Sequence, residues 1–354
     1  MTVRENVRHR VREGAGAAAA PGVEEVVPQL EQHRVELTGY CYRMLGSAFE
    51  AEDAVQETLV RAWRGAGRFE GRSSLRTWLY TIATHVCLDS LNADKRRARP
   101  MDLSPASHAD AVLPAPTAES DWVGPVPDAR AVSSGGDPAD VVVARETIRL
   151  AFVAALQHLP PRQRAVLILR EVLAWKASET AELLGGSVAS VNSALQRARA
   201  TLAGAGVGAV RTAPAPAMDA EQQSLLDRYV DAFERYDLDS LTRLLHEDAT
   251  LSMPPYPLWL RGHEDIRAWF LGTGIGCRGS RLLPVAANGA PGFGQYRPAE
   301  GGGHRPWALQ VLEISGGRVT GICSFLDTPR LFPLFGLPLE LPPERASREL
   351  PAHR

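Results

Sequence analysis

Apolar positions along the chain recur at helical spacing in two separate blocks. Val55, Leu59, Ala62 and Trp63 fall at i, i+4, i+7 and i+8, which predicts the buried face of a helix over residues 51–64. The opposite face carries Asp53, Gln56, Glu57 and Arg61, a solvated surface or a docking surface. Leu75, Leu79, Ile82, Val86 and Leu91 predict a second helix over 74–92, with Trp78 beside the stripe. Ser73 or Ser74 can cap its start. Gly71 allows a tight turn before it, and Arg72 and Ser73 place donors where a helix N-terminus favours an anion. Lys95, Arg96, Arg97 and Arg99 cluster at its end, where cations also suit the helix dipole.

In the second block, Ile148, Phe152, Ala155 and Leu156 make one face, and Pro160-Pro161 breaks the chain and starts a new helix. That helix carries Ala165, Val166, Leu169 and Val172. Residues 176–200 (KASETAELLGGSVASVNSALQRARA) have helix-turn-helix form. Ala181 is small where two helices would meet, and Gly185-Gly186 makes the turn. Val188, Val191 and Leu195 are expected on the buried side of the second helix. Ser190, Asn192, Ser193, Gln196 and Arg197 are expected to face outward. A short polar helix on an apolar base is what reading a DNA groove requires, since Asn and Gln pair with adenine and Arg with guanine or phosphate. A plain helical hairpin has the same spacing.

Beyond residue 217 the periods mix. Leu225, Tyr229, Ala232 and Phe233 share a face of a helix over 222–236, and a second helix follows over 238–245. Residues 249–253 read as a strand and 261–270 as a helix. Residues 307–314, the Gly316-Gly317 pair and residues 318–326 give a strong hairpin signal. Helices followed by strands predict an α+β cone.

Composition separates these blocks. Residues 100–140 are rich in Pro, Ala, Asp and Ser, and residues 205–217 in Gly, Ala and Pro, so both read as linkers. The expected order is a disordered tail over 1–28, a helical domain over 29–99, a linker over 100–140, a helix-turn-helix domain over 141–204, a linker over 205–217 and the α+β domain over 218–354. Net charge is −2, but residues 61–99 hold nine Arg or Lys against three Asp or Glu, and residues 162–211 hold seven against three. Two basic islands in an otherwise acidic chain point to nucleic acid more than the sum does.

No apolar run approaches the roughly 20 residues that span a bilayer, and Ala17–Ala20 is too short for a signal-peptide core. The four cysteines form no C-x-x-C pair, which argues against zinc and against a disulfide framework. A cytoplasmic protein without membrane, metal or cofactor is expected.

Three ordered segments resemble the extracytoplasmic-function sigma factors of the sigma-70 class. Residues 52–63 (EDAVQETLVRAW) resemble their core-polymerase-binding helix, and residues 69–80 (FEGRSSLRTWLY) the promoter-melting segment. Residues 159–170 (LPPRQRAVLILR) and the helix-turn-helix resemble the C-terminal sigma domain. In the linker, residues 120–128 (SDWVGPVPD) resemble a stretch of the sigma-G-like subgroup, which also carries a C-terminal extension. The extension itself resembles SnoaL-like domains of the nuclear-transport-factor-two-like superfamily, at residues 246–253 (HEDATLSM) and 259–267 (WLRGHEDIR).

The resemblance implies a sigma factor that binds core RNA polymerase and directs promoter-specific initiation, made of two all-α domains and an α+β cone. Asp53, Ala54, Val55, Gln56, Glu57 and Arg61 would dock on the polymerase, on the beta-prime clamp, with the beta subunit as a further contact. Arg72, Ser73, Ser74, Trp78 and Tyr80 would engage the minus-ten element, where a flipped base needs a pocket and a stacking neighbour. Core packing is the competing role for Trp78. Lys95, Arg96 and Arg97 would hold backbone phosphates. Ser190, Asn192, Ser193, Gln196, Arg197 and Arg199 would read the minus-thirty-five element. Asn192 stands where many relatives place Arg or Lys, so the promoter sequence does not transfer. The linker would thread through the polymerase.

For the cone, the resemblance implies a pocket, with Met253, Tyr256, Trp259, Trp269, Trp307, Phe325 and Asp327 as candidate lining, or else as core. It would regulate the sigma domains, by docking on them or by binding a small-molecule ligand, and an anti-sigma factor is a further candidate partner. The alternative is a SnoaL-like enzyme or ligand sensor fused to a DNA-binding module. His263 is the candidate base, but no second titratable group with assignable geometry accompanies it, so no catalytic residue is assigned.

Overall fold

The computed structural model describes residues 29–69, 71, 73–91, 97–133, 135, 137–204 and 220–343. The predicted tail over 1–28 and the predicted linker over 205–217 lie outside the described residues, as do Arg72, Lys95 and Arg96.

The first helical unit contains α1 (Arg34–Leu45), α2 (Ala48–Gly65) and α3 (Leu75–Ser90). Gly46, at φ +75°, ends α1 in the left-handed region that favours glycine. The Ser47 hydroxyl then accepts the Glu50 N–H, so α2 starts earlier than its apolar stripe predicts. Leu37, Tyr40, Met44, Val55, Leu79 and Val86 fill the core between the helices. Trp63 departs from expectation and is 54% exposed. Ala62 takes the inward position, which leaves Trp63 a further ~100° around the helix.

The second unit contains α4 (Pro138–Glu146), α5 (Leu150–Gln157), α6 (Pro161–Leu167), α7 (Ala177–Leu183) and α8 (Val188–Gly204). A single π-helical turn, Ile168–Val172, extends α6. Val191, Leu195, Ala198 and Leu202 form the buried stripe of α8. Val188 was expected on that stripe but is 44% exposed, because it opens the helix at its free tip.

The cone contains α9 (Ala220–Glu234), α10 (Leu238–Leu244), β1 (Leu245–Ser252), β2 (Trp259–Arg261), α11 (His263–Leu271), β3 (Arg281–Ala287), β4 (Ala290–Pro298), β5 (His304–Ser315), β6 (Arg318–Phe325) and α12 (Thr328–Leu334). One six-stranded sheet runs β2-β1-β6-β5-β4-β3, with β1 and β6 parallel and the other neighbours antiparallel. Tyr229, Phe233, Leu251, Ile266, Phe293 and Leu312 form the core between one face and α9–α11. Leu309, Val311, Phe325 and Phe332 belong to an apolar core that is continuous with both helical units.

That continuity settles how the three parts sit together. Residues 98–133 form a hydrogen-bonded strap along the cone. Ala98 bridges to Trp122 and Pro127 bridges to Ala287. The Ser107 N–H donates to the Trp259 carbonyl, the Trp259 indole donates back to the Ser104 carbonyl, and the Thr117 N–H donates to the Pro255 carbonyl. Composition made this stretch look structureless because its partners lie in the cone rather than in its own neighbours.

Candidate nucleic-acid surfaces and the interdomain junction

On α2, Asp53, Gln56 and Arg61 are exposed and Glu57 is half-buried. Arg61 Nε donates to Glu57 Oε1 at 2.6 Å, an ordinary i,i+4 pair that leaves the face polar and accessible. Ala54 and Val55 are buried in the core of the first unit, which corrects their expected place at a docking surface. They hold the helix in place from beneath.

Around the α3 start, Ser74 caps the helix by accepting the Thr77 N–H at 3.1 Å. Ser73 and Trp78 are half-buried, and Trp78 packs on Phe69 with ring centroids 5.0 Å apart. Tyr80 is fully buried, contrary to its expected place on a DNA strand. It lies between Tyr40 and Trp175 of the second unit, at 5.2 and 5.3 Å, and its hydroxyl donates to Glu36. Burial pushes its phenol well above the ordinary range.

Arg97 is also corrected. It is 5% exposed, and its guanidinium donates to Glu50 Oε1 at 2.6 Å, to the Trp122 carbonyl at 2.8 Å and to the Glu119 carbonyl at 3.0 Å. A guanidinium whose donors are spent on the strap holds no phosphate. On α8, by contrast, Ser190, Asn192, Ser193, Gln196, Arg197 and Arg199 are all exposed, on a side away from the buried stripe. Ser190 is committed to the helix start, where its hydroxyl and that of Ser187 bond each other's backbone. Arg199 pairs with Glu171 at 2.5 Å.

Of the seven candidate pocket residues of the cone, Phe325 and Asp327 border one cavity together and the other five do not line it; Tyr256 is half-buried against the cone core. Met253, Trp259 and Trp269 are buried, with Trp259 capped by the strap and Trp269 packed on Phe270 and against Gly274. The Arg297 guanidinium covers Trp307 at 3.3 Å. Phe325 and Asp327 border an apolar cavity of about 200 Å³ with Phe49, Trp122 and Pro255. His263 Nε2 lies 3.2 Å from the Leu245 carbonyl, in an open groove lined by Arg243, Arg267 and Arg318. Inside the cone, Tyr229 donates to Gln310, Gln310 to Gln295, and Gln295 to Ser280, at 3.0–3.1 Å. All four are buried, and each polar tip is used by the next.

The structure gathers a different set of residues where the three parts meet. Asn288 and Gly289, at φ +57° and +66°, form the tight turn between β3 and β4. Asn288 is 1% exposed. Its Nδ2 donates to the Tyr42 hydroxyl at 2.6 Å and to the Ile148 carbonyl at 2.8 Å, and its Oδ1 accepts the Val126 N–H at 3.0 Å. One side chain thus bonds the first unit, the strap and the second unit. Beside it, Asp128 accepts the Gly289 N–H at 2.8 Å, and burial raises its carboxyl. A Cβ at Gly289 would stand 2.3 Å from the Arg145 carbonyl, so the turn admits only glycine here.

Two arginines cross between the helical units. Arg43 Nη2 donates to the Ala144 carbonyl at 3.0 Å and to Thr147 Oγ1 at 2.8 Å. Arg164 donates to the Met44 carbonyl and to Gln157. None of Tyr42, Arg43, Arg164 or Asn288 stood out as an interface residue in the sequence. The Asn-Gly pair alone carried a local signal, that of a hairpin turn.

Two helical units, the second with a helix-turn-helix, joined to a SnoaL-type cone make this a modular protein of the sigma-70 kind. The Sigma-70 region 2 family matches residues 30–97, the Sigma-70 region 4 family residues 149–202 and the SnoaL-like domain family residues 226–322. The chain is 45% identical over 316 residues to the ECF RNA polymerase sigma factor SigG of Mycobacterium tuberculosis, covering 87% of this chain and 82% of SigG. It is 27% identical over 326 residues to SigJ of the same organism, covering 89% and 95%. The SigJ crystal structure superposes with a TM-score of 0.54 at 25% identity, over 90% of this chain and 100% of that one. The chain belongs to the ECF sigma factors, which direct transcription by RNA polymerase. No helix among the described residues is long and apolar enough to cross a membrane.

Proposed function

We propose that this sigma factor binds core RNA polymerase through the exposed face of α2 and promoter DNA through α3 and α8, and that its cone holds it shut until released. Asp53, Gln56, Glu57 and Arg61 serve the polymerase. Ser73, Ser74 and Trp78, with Arg72 and the basic pair Lys95 and Arg96, serve the minus-ten element. Asn192, Ser193, Gln196 and Arg197 serve the minus-thirty-five element. The site of action is the cytoplasm, where polymerase and promoter meet.

The observation that carries the closed reading is the Asn288 amide, bonded to both helical units and the strap. Elements centred ten and thirty-five base pairs upstream are about 25 steps apart, or roughly 85 Å of duplex at 3.4 Å per step. In this arrangement α3 and α6 touch, and Trp175 covers Tyr80. The two readers therefore have to separate before both elements can be engaged. The Tyr229–Gln310–Gln295–Ser280 chain supports a regulatory cone rather than a catalytic one, because its buried polar groups bond one another in the core.

Run-off transcription with core polymerase tests this, comparing the full chain, full-length Asn288→Gly and the 1–204 fragment on promoter fragments. Specific transcripts that increase for both altered proteins are expected. No transcript and no core binding from any of the three would defeat the sigma assignment, and equal output from all three would defeat the closed reading.

A further inference from the structure

The apolar cavity of about 200 Å³ lies at the seam of three parts of the molecule, and each part supplies a wall. Phe49 comes from α2 of the first helical unit, Trp122 and Pro125 from the strap, and Pro254, Phe325 and Leu331 from the cone. Trp122, Phe325 and Leu331 are buried and Phe49 is half-buried. Arg330 of α12 ties the same three parts together. Its guanidinium stacks on the Phe49 ring at 4.0 Å and lies 3.9 Å from Glu119 of the strap and 3.6 Å from Asp327 of the cone.

The polar groups that border the cavity have other commitments. Glu119 and Asp327 share Arg330, and Glu119 also faces Arg97 at 3.5 Å. The Ser47 hydroxyl accepts the Glu50 N–H, and Thr117 is exposed, so its hydroxyl is met by water. The Trp122 indole N–H has no partner among the described residues, but less than 1 Å² of it is accessible, so it offers an occupant nothing. An ion entering here would lose its hydration with no opposite charge free to receive it. The walls that remain are rings and branched aliphatic carbon.

We propose that this cavity is a binding site for a small uncharged aromatic molecule, of one ring or two fused rings. Size sets that limit. An apolar cavity of about 150 Å³ stays dry and takes up benzene, and drug-sized ligands need about 300 Å³ or more. Shape agrees with it, because Phe49, Trp122 and Phe325 present ring surface from all three parts. Since no single part builds the cavity, the occupant binds only the docked form and stabilises it by mass action. This last step rests on the closed reading above.

The probe is fluoronaphthalene, titrated into the full-length protein without polymerase and followed by fluorine NMR. Saturable binding at one site is expected. Phe49→Ala removes one ring wall and should weaken it about tenfold. Gly124→Leu fills the space instead and should weaken it by at least as much. Gly124 lines the cavity, a Cβ there meets nothing within 4 Å, and its backbone bonds to Gly46 and Tyr42 are kept. Circular dichroism checks that both variants fold. Fluoronaphthoate, the same rings with a carboxylate, should bind at least tenfold more weakly than the uncharged probe. No saturable binding, equal binding of the carboxylate, or binding by either variant at wild-type strength would overturn the site. Full-length Asn288→Gly separates the two ideas. If it raises transcription while wild type ignores the probe, the site fails and the closed reading stands. If Asn288→Gly binds the probe as tightly as wild type, the dependence on docking is overturned, and unaltered transcription by that variant defeats the closed reading alone.

Discussion

Asn288 donates its amide to the Tyr42 hydroxyl at 2.6 Å, joining a turn of the cone to the first helix across 246 residues of sequence. Tyr42 passes the bond on, donating to the Gly124 carbonyl of the strap at 2.7 Å. The pair is buried, so neither group has water to fall back on. Asn288→Gly keeps the left-handed backbone and removes only the amide. Three hydrogen bonds at about 1 kcal/mol each put the expected loss of docking free energy at about 3 kcal/mol. Small-angle scattering should show a larger radius, with helix and strand content by circular dichroism unchanged. Asn288→Ala should open the protein further, since a Cβ at φ +57° adds strain. An unaltered radius in both variants would mean that the apolar contact alone holds the parts together.

Arg97 distinguishes a buried anchor from a phosphate contact. Removing a DNA contact lowers affinity in a salt-dependent way and leaves the fold intact. Removing Arg97 instead leaves Glu50 and the Trp122 carbonyl unpaired, while the Glu119 carbonyl keeps the Trp122 N–H. Arg97→Met is expected to cost about 3–5 kcal/mol of stability, as for other broken buried pairs. Glu50 is partly exposed, so the lower end applies. Thermal unfolding should move down by several degrees. The slope of DNA affinity against salt should stay as in wild type, and a slope lower by one contact would return Arg97 to the DNA surface.

The helices were legible in the sequence because each carries its own period and its own cap, as Ser74 and the Val191–Leu195–Ala198–Leu202 stripe show. Ala54, Val55 and Tyr80 were misplaced for a common reason. A family motif marks a segment, while burial is decided residue by residue, and Tyr80 is buried partly by Trp175, 95 positions away. Strands β3 and β4 and helix α12 went unanticipated. Pro284, Pro291, Gly292 and Gly294 break the alternation of β3 and β4, and sheet neighbours supply the pairing that local pattern lacks. Gly292 is in fact required, since a Cβ there would meet the Gln310 carbonyl at 2.6 Å. The junction at Asn288 is a property of three distant segments, and only its turn was locally encoded.

The buried tyrosines give the fold an alkaline limit. Burial raises the phenols of Tyr40, Tyr42, Tyr80 and Tyr229, and brings Tyr236 and Tyr296 up to about 12. A raised folded pKa means the unfolded chain loses these protons first as pH rises. Their contribution is therefore fully present below about pH 10 and is lost progressively as pH climbs through about 12. Arg43 acts in the opposite sense. Burial lowers it to about 10, so its charge burdens the fold below that pH and the burden is relieved above it. The tyrosines outnumber it, and stability should fall above pH 10. Tyrosinate absorbance at 295 nm and loss of the helical signal should rise together. Tyrosinate appearing well before unfolding would show that these phenols are reached by solvent in the native state.

The exposed face of α8 predicts how promoter choice is divided among its residues. Asn192, Gln196 and Arg197 have no hydrogen bond from their side chains to the rest of the protein among the described residues, so their donors and acceptors are available to base edges. Arg199 is held by Glu171 at 2.5 Å, on the side of the helix facing the π-helical turn. Substituting Asn192, Gln196 or Arg197 by Ala should each cost about 1–3 kcal/mol at the preferred base and relax the sequence requirement there. Arg199→Ala should change affinity alike for all sequences, by an amount that falls with salt. The measurement is binding of the full-length Asn288→Gly protein, assembled with core polymerase, to a promoter library randomised in the minus-thirty-five element. That background removes the closed state as a common limit, so differences report on the helix. A preference profile unchanged in all three alanine variants would show that α8 contacts only the backbone and that sequence is read elsewhere.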